Sequence, residues 1–164
     1  MSEPTRYDLH ASTHVAAAPD EVYRVVSDIT RMGEWSPECI GGEWASGEPG
    51  TIGAIFKGHN RFRDDLWTTE CEVIAAEPGR RFAWAVLSYS ATPDNAVWSF
   101  DVEPDGDGCT LTQRFQMKQP PSRLLSIRDS LPADRAATFL EFRRSRLQAA
   151  MQQTIDAIRD AVQP

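Results

Sequence analysis

Residues 18–39 constrain the fold more than any other part of the chain. Pro19 suits the first turn of a helix because its φ is already fixed near the helical value, and acidic residues follow it at the positive end of the helix dipole. Apolar residues then recur at helical spacing as far as Ile29. Pro37 disfavours helix at the residue before it. The segment therefore predicts two short helices, the second ending near Trp35.

Strands are predicted on both sides of this segment. Residues 7–16 alternate between apolar and polar positions, which is typical of a half-buried strand. Turn residues divide the following chain into strand-length segments, namely residues 42–45, 52–60, 66–75, 81–87, 96–102 and 109–117. Residues 104–108 carry proline and glycine and predict a hairpin loop.

The hydrophobic period changes from 2 to 3.6 after residues 118–121. A short helix is predicted before Pro132, followed by a long helix with one apolar stripe. The stripe consists of Phe139, Leu140, Leu147, Met151, Ile155, Ile158 and Val162. No linker or repeat divides the chain, so residues 1–164 are predicted to form one domain.

The order of these elements predicts an α+β fold. Strands joined by short turns pair antiparallel, and the long helix must bury its stripe against their apolar face. We therefore expect a curved antiparallel sheet of six to seven strands wrapped around a long C-terminal helix, with two short helices after the first strand. A twisted sheet that curves around one helix leaves a space between them.

Charge and cysteine content narrow the classes of partner. The 17 basic and 24 acidic residues give a net charge of −7, which argues against nucleic acid and anionic membranes as partners. No apolar run is long enough for stable membrane insertion, and the N-terminus lacks a signal peptide, so a cytoplasmic location is expected. The three cysteines have no metal or redox spacing, and no cofactor is predicted.

Short motifs spread over nearly the whole chain carry a family resemblance. They are residues 18–23, 26–28, 34–38, 42–44, 58–61, 77–82, 98–100 and 151–155, together with Trp67. In this order they resemble the START/Bet v 1-like superfamily, specifically the bacterial SRPBCC group of polyketide cyclase/dehydrase and lipid-transport proteins. The resemblance implies the helix-grip fold. It also implies binding of hydrophobic molecules such as lipids, sterols, quinones or polyketides, with cyclases or aromatases as a minority.

The predicted inner face supplies nine candidate ligand-binding residues. They are Trp35, Phe56, Asn60, Trp67, Trp84, Trp98, Gln113, Phe115 and Met151. Tryptophans offer an aromatic lining with indole N–H groups, although core packing explains them equally well, and Trp35 suits a plug at the end of the pocket. Asn60 shares a face with Ile52 and Phe56 and is either a ligand contact or a turn-stabilising amide. Gln113 lies on an apolar face and needs a partner once buried.

No catalytic residue is predicted. Proton transfer would have to come from one of Glu38, Arg61, Tyr23 or Tyr89. Glu38 is the best acid near the pocket mouth, but a solvated carboxylate is the simpler interpretation. The basic residues 143–146 are interpreted as a solvated helix face rather than an anion site.

Histidines do not provide a metal site or a catalytic base. His10 and His14 lie about 13 Å apart along one strand at roughly 3.3 Å per residue, too far to share a metal ion. His59 alternates away from the inner face, so a serine-type relay has no base.

Three hypotheses therefore remain open at the level of sequence. The first is a binding protein for a lipid-, quinone- or polyketide-like molecule, and the second is a polyketide cyclase or aromatase that acts mainly by orienting a reactive chain. The third is a protein-interaction module of the chaperone-activator or ribosome-associated type, which would need an exposed apolar face. Polar residues at Thr68, Glu70 and Glu72 argue against that face.

Overall fold

A computed structural model describes residues 7–87, 96–118 and 122–164. The strands are β1 (Tyr7–Val15), β2 (Cys39–Ser46), β3 (Ile55–Phe62), β4 (Asp65–Glu77), β5 (Arg81–Val86), β6 (Ala96–Asp105) and β7 (Gly108–Met117). The helices are α1 (Pro19–Val26), α2 (Met32–Trp35), α3 (Ser122–Asp129) and α4 (Ala133–Val162), with a 3-10 turn at Ile29–Arg31.

One antiparallel sheet contains all seven strands. Its order is β1-β7-β6-β5-β4-β3-β2, so β2 to β7 form a meander and β1 pairs with β7. Register shifts in β2 and in β4, the latter between Val73 and Ala75, bend the strands. The predicted helix-grip architecture is confirmed, including the two short helical elements after β1.

Several predicted strand boundaries were wrong for local reasons. β2 spans Cys39–Ser46 rather than residues 42–45, and it pairs with β3 through two register shifts. Ile52 does not belong to β3 but lies 68% exposed in the preceding turn, next to Gly53 at φ +91°. The β6–β7 hairpin is tighter than a loop over residues 104–108, because Asp105 and Gly108 still pair.

The helices after β1 follow the sequence pattern. α1 begins at Pro19 and buries Val22 and Val26. The side chain of Asp28 then accepts a hydrogen bond from the Thr30 amide at 3.1 Å, which starts the 3-10 turn. α2 ends at Trp35, as predicted, and the chain enters β2.

Helix α4 is attached most firmly through its C-terminal half. Leu147, Met151, Ile155 and Ile158 are buried. Its polar flank is tied to the β1 side of the sheet by three hydrogen bonds, which are Gln148 Nε2 to the His10 carbonyl (2.7 Å), Arg159 Nη1 to Thr13 Oγ1 (3.1 Å) and the Ala16 amide to Gln163 Oε1 (2.9 Å). The N-terminal half is more exposed. In the part of the chain described, no helix combines the length and apolar character needed to cross a membrane.

Gly42 is expected to be irreplaceable where β2 passes the 3-10 turn. A Cβ atom on Gly42 would lie 2.7 Å from the Ile29 carbonyl oxygen, whereas a Cβ atom on the neighbouring Gly41 meets nothing within 4 Å. Gly42→Ala should therefore lower the free energy of unfolding by about 1–3 kcal/mol through forced backbone displacement. Gly41→Ala is the matched control and should leave it unchanged or slightly raised. Urea unfolding measures both, and equal effects of the two substitutions would contradict the predicted contact.

Candidate ligand-binding cavity

A cavity of about 280 Å³ lies between the sheet and α4. Its floor is a row of rings from β3, β5, β6 and β7, here called the aromatic row: Phe56, Trp84, Trp98 and Phe115. Successive ring centroids are 5.7, 6.4 and 4.2 Å apart, and the last two pairs are stacked. The strand register causes this, because Trp98 pairs directly with Trp84 on one side and Phe115 on the other. The row presents a rigid apolar surface to the cavity.

The remaining wall is also largely apolar. It includes Met32 from α2, Met117 from β7, and Leu147, Ala150 and Met151 from α4. Methionine side chains are unbranched and flexible, so they adapt to irregular shapes. The cavity thus has a rigid aromatic side and an adaptable side facing it.

Eight of the nine candidate residues line this cavity. They are Phe56, Asn60, Trp67, Trp84, Trp98, Gln113, Phe115 and Met151. Trp35 does not line it. The Trp35 ring is buried where α2 contacts β2 and α4, with the Arg31 guanidinium 4.8 Å above it. This placement gives no support to a direct contact between Trp35 and a ligand, and it agrees with the alternative interpretation of Trp35 as a packing residue.

Gln113 is an uncharged polar residue of the lining whose bonding is incomplete. The side chain is 5% exposed, and its Oε1 atom has no hydrogen-bond partner among the described residues. Two other polar groups of the lining are satisfied internally: Asn60 Nδ2 donates to the Gly58 carbonyl (3.2 Å), and the Thr154 hydroxyl donates to the Ala150 carbonyl (2.8 Å). A buried carbonyl without a partner costs about 1–3 kcal/mol. Gln113 is therefore the polar group most available to a ligand.

An ion pair between Glu38 and Arg143 forms one end of the lining. Glu38 lies between α2 and β2, and Arg143 belongs to α4. Their side chains are only 16% and 13% exposed. The solvated interpretation of both residues was therefore wrong. Arg61, the other candidate cation, is exposed and does not line the cavity.

The spacing of α4 contained the signal for Arg143. It lies four residues before Leu147 and eight before Met151, so it occupies the apolar stripe. Arg144, one position further, is 43% exposed and lies 3.7 Å from Glu141, as expected of a solvated face. Helical phase therefore separates Arg144 from Arg143, whereas Arg146, three residues further along, lies over the same Phe62 ring as Arg143.

The other titratable candidates lie outside the cavity. His59 is on the outer face of the sheet, where Nδ1 is 3.0 Å from Thr68 Oγ1 and Nε2 is 3.2 Å from Glu43 Oε1. Tyr23 packs against Phe82, and burial, reinforced by Glu77, raises its pKa. Tyr89 falls outside the described residues. Within those residues, no three or more His, Cys, Asp or Glu side chains come together as metal ligands.

Two cysteines also line the cavity. Burial raises the pKa of Cys71 to about 12 and raises the pKa of Cys39 as well. Cys71 Sγ donates weakly to Thr69 Oγ1 at 3.7 Å. Both thiols are therefore kept in the neutral form, and they contribute apolar surface rather than a nucleophile.

The fold and the cavity define a class of protein: a ligand-binding helix-grip domain in which a curved sheet and a long helix enclose an aromatic-lined space. The chain belongs to the polyketide cyclase/dehydrase and lipid transport family, whose sequence pattern matches residues 6–163. The Polyketide_cyc-like protein Cgl2372 of Corynebacterium glutamicum is 33% identical, with a TM-score of 0.65 over 99% of this chain and 93% of that one.

More distant structures share the fold. The di-domain ARO/CYC BexL of the BE-7585A biosynthetic pathway has a TM-score of 0.75 at 16% identity, and this chain covers 51% of it. Major latex-like protein 151 of Panax ginseng has a TM-score of 0.58 at 14% identity, over 88% of this chain and 97% of that one. No curated protein matches the chain.

Replacing Gln113 should raise the free energy of unfolding, because its buried carbonyl has no hydrogen-bond partner within the described residues. Gln113→Leu removes a buried carbonyl that lacks a partner, so we expect the ligand-free protein to gain about 1–3 kcal/mol in urea unfolding. Thr154→Val serves as the control, because the Thr154 hydroxyl is already bonded and its removal should not stabilise the protein. A loss of stability in Gln113→Leu would show that its amide is satisfied in the fold.

Stability should also depend on pH through Cys71. Because its folded-state pKa of about 12 exceeds the ordinary value of 9.0, the unfolded chain releases this proton first as the pH rises. The contribution of the thiol is fully present below pH 9 and disappears as the pH approaches 12. The urea midpoint of the native sequence should therefore fall more steeply over that range than that of Cys71→Ala. Parallel curves for the two proteins would contradict the raised pKa.

Proposed function

We propose that the chain binds a compact hydrophobic small molecule of the quinone, polyketide or lipid type in this cavity. The observation that carries the proposal is the aromatic row, which faces a partly open and mostly apolar cavity. A volume of about 280 Å³ lies just below the range of roughly 300–1,000 Å³ that is common for ligand pockets. It suits a ligand of two or three rings better than a complete membrane lipid.

The lining supports both affinity and orientation. A ligand that buries about 200 Å² of apolar surface would gain roughly 5 kcal/mol at about 25 cal/mol per Å², before the cost of association. Stacking on Trp84 and Trp98 favours a flat ligand. The amide of Gln113 would then choose between orientations by pairing with a hydroxyl, carbonyl or amide group of the ligand.

Cyclisation of a polyketide is the second candidate, supported by the family description and by the fold shared with ARO/CYC domains. Such an enzyme would use the cavity to orient a chain and would also need a proton donor or acceptor. Glu38 is the carboxylate of the described lining, and Arg143 already engages it. Binding does not require a free proton donor or acceptor, whereas catalysis does, so we place binding first.

Filling the cavity with a larger side chain should weaken the binding of a hydrophobic probe. The probe is N-phenyl-1-naphthylamine, a neutral aromatic molecule whose fluorescence rises in apolar surroundings. We expect saturable binding to the native protein and at least a tenfold loss in Ala150→Phe, because Ala150 lines the cavity and the new ring would occupy it. Tenfold corresponds to about 1.4 kcal/mol.

The adjacent alanine provides the matched control. Ala149 is exposed on the same helix, so Ala149→Phe should bind the probe within twofold of the native protein. Near-ultraviolet circular dichroism establishes that both variants are folded. The proposed function fails if the native protein shows no saturable binding, or if the two variants bind the probe equally well.

A further inference from the structure

We infer that Arg143 binds an anionic group of the ligand, so that the cavity takes a compact hydrophobic acid rather than a fully neutral molecule. The inference rests on the proposed function and names the substrate class of the same cavity. Its basis is a largely buried guanidinium in the wall of a mostly apolar site.

Arg143 occupies the boundary between the cavity and a second depression, here called the outer groove. The groove lies along the N-terminal half of α4 and is lined by Phe62, Ile127, Leu131, Phe139 and Phe142. Arg143 and Trp67 line both spaces. A ligand with its rings on the aromatic row could therefore direct a charged end towards Arg143.

The guanidinium is held in position by two contacts of different kinds. Glu38 pairs with one of its terminal nitrogens, and the ring of Phe62 lies 4.7 Å from its central carbon. Contact with an aromatic face orients the guanidinium plane without using its N–H donors. An arginine has five such donors, and a single carboxylate contact leaves several of them for a further acceptor.

Stability alone does not account for this pair. Removing two charges from water costs free energy that their attraction often fails to recover, and apolar replacements of such pairs are frequently as stable. Glu38 also lies close to the cavity, so it neutralises Arg143 while no ligand anion is present. An incoming anion then shares the guanidinium with Glu38 or replaces it.

Two dyes with the same ring system separate charge from shape. The anionic probe is 8-anilinonaphthalene-1-sulfonate, and the neutral probe N-phenyl-1-naphthylamine lacks only the sulfonate. At an ionic strength of about 0.15 M, where distant charges are screened, we expect the anionic probe to bind more tightly and to be displaced by the neutral one. Arg143→Met should lower the affinity for the anionic probe at least tenfold and change the affinity for the neutral probe by less than threefold.

Two further variants keep the test decisive. Glu38→Gln removes the competing carboxylate and should raise the affinity for the anionic probe several-fold. An ion pair with a merely structural role would not produce this effect. Glu38→Gln combined with Arg143→Met leaves no buried charge unpaired and should lose the preference for the anion while remaining folded. Arg144→Met, on the solvated side of α4, is the control and should bind both probes like the native protein.

The outcomes distinguish this inference from the proposed function. If the neutral probe binds but the ratio of the two affinities is the same in the native protein and in every variant, the Glu38–Arg143 pair is structural and the inference is overturned. If neither probe binds the native protein saturably, the proposed function itself fails. A preference for the anion that Arg143→Met removes and Glu38→Gln increases supports both.

Discussion

The packing of one long helix against a curved sheet is the interaction on which the rest of the structure depends. Ile155 and Ile158 of α4 are fully buried, and hydrogen bonds tie the flank of the helix to the β1 side of the sheet. The side chains of α4 that line the cavity are instead Arg143, Leu147, Ala150, Met151 and Thr154. A twisted sheet cannot contact one helix closely along its whole length, so close packing at the C-terminal end of α4 leaves space towards the other end. The cavity thus results from the way in which α4 packs against the sheet.

The cavity wall is less stable than an all-apolar wall would be. The carbonyl of Gln113 lies buried without a partner, and the Glu38–Arg143 pair has exchanged water for a mostly apolar surrounding. Both features reduce stability or contribute little to it, whereas both offer specific contacts to a ligand. Proteins commonly carry such unfavourable groups where function needs them. The stability cost of these polar residues is therefore consistent with a role in binding a ligand.

Much of this arrangement could be predicted from sequence because it follows from periodicity. Alternation along β5, β6 and β7 indicated which residues share the inner face, so Trp84, Trp98 and Gln113 were identified correctly as facing the cavity. Periodicity does not report depth or tertiary pairing. The sequence predicts that Trp35 packs where the helical turns meet the sheet, but only the packing of α2 shows that Trp35 does not line the cavity. The ion pair between Glu38 and Arg143 joins residues that are far apart in the sequence. The local sequence around either residue does not reveal this contact.

The most direct test of the account is where a ligand contacts the protein. Met32, Met117 and Met151 line the cavity, so selectively ¹³C-labelled methionine methyl groups report on its interior. With N-phenyl-1-naphthylamine bound, nuclear Overhauser effects should connect the aromatic protons of the probe to the methyl groups of Met117 and Met151. Binding without such contacts, or with contacts only to outer-groove residues such as Phe142, would contradict the claim that this cavity is the binding site.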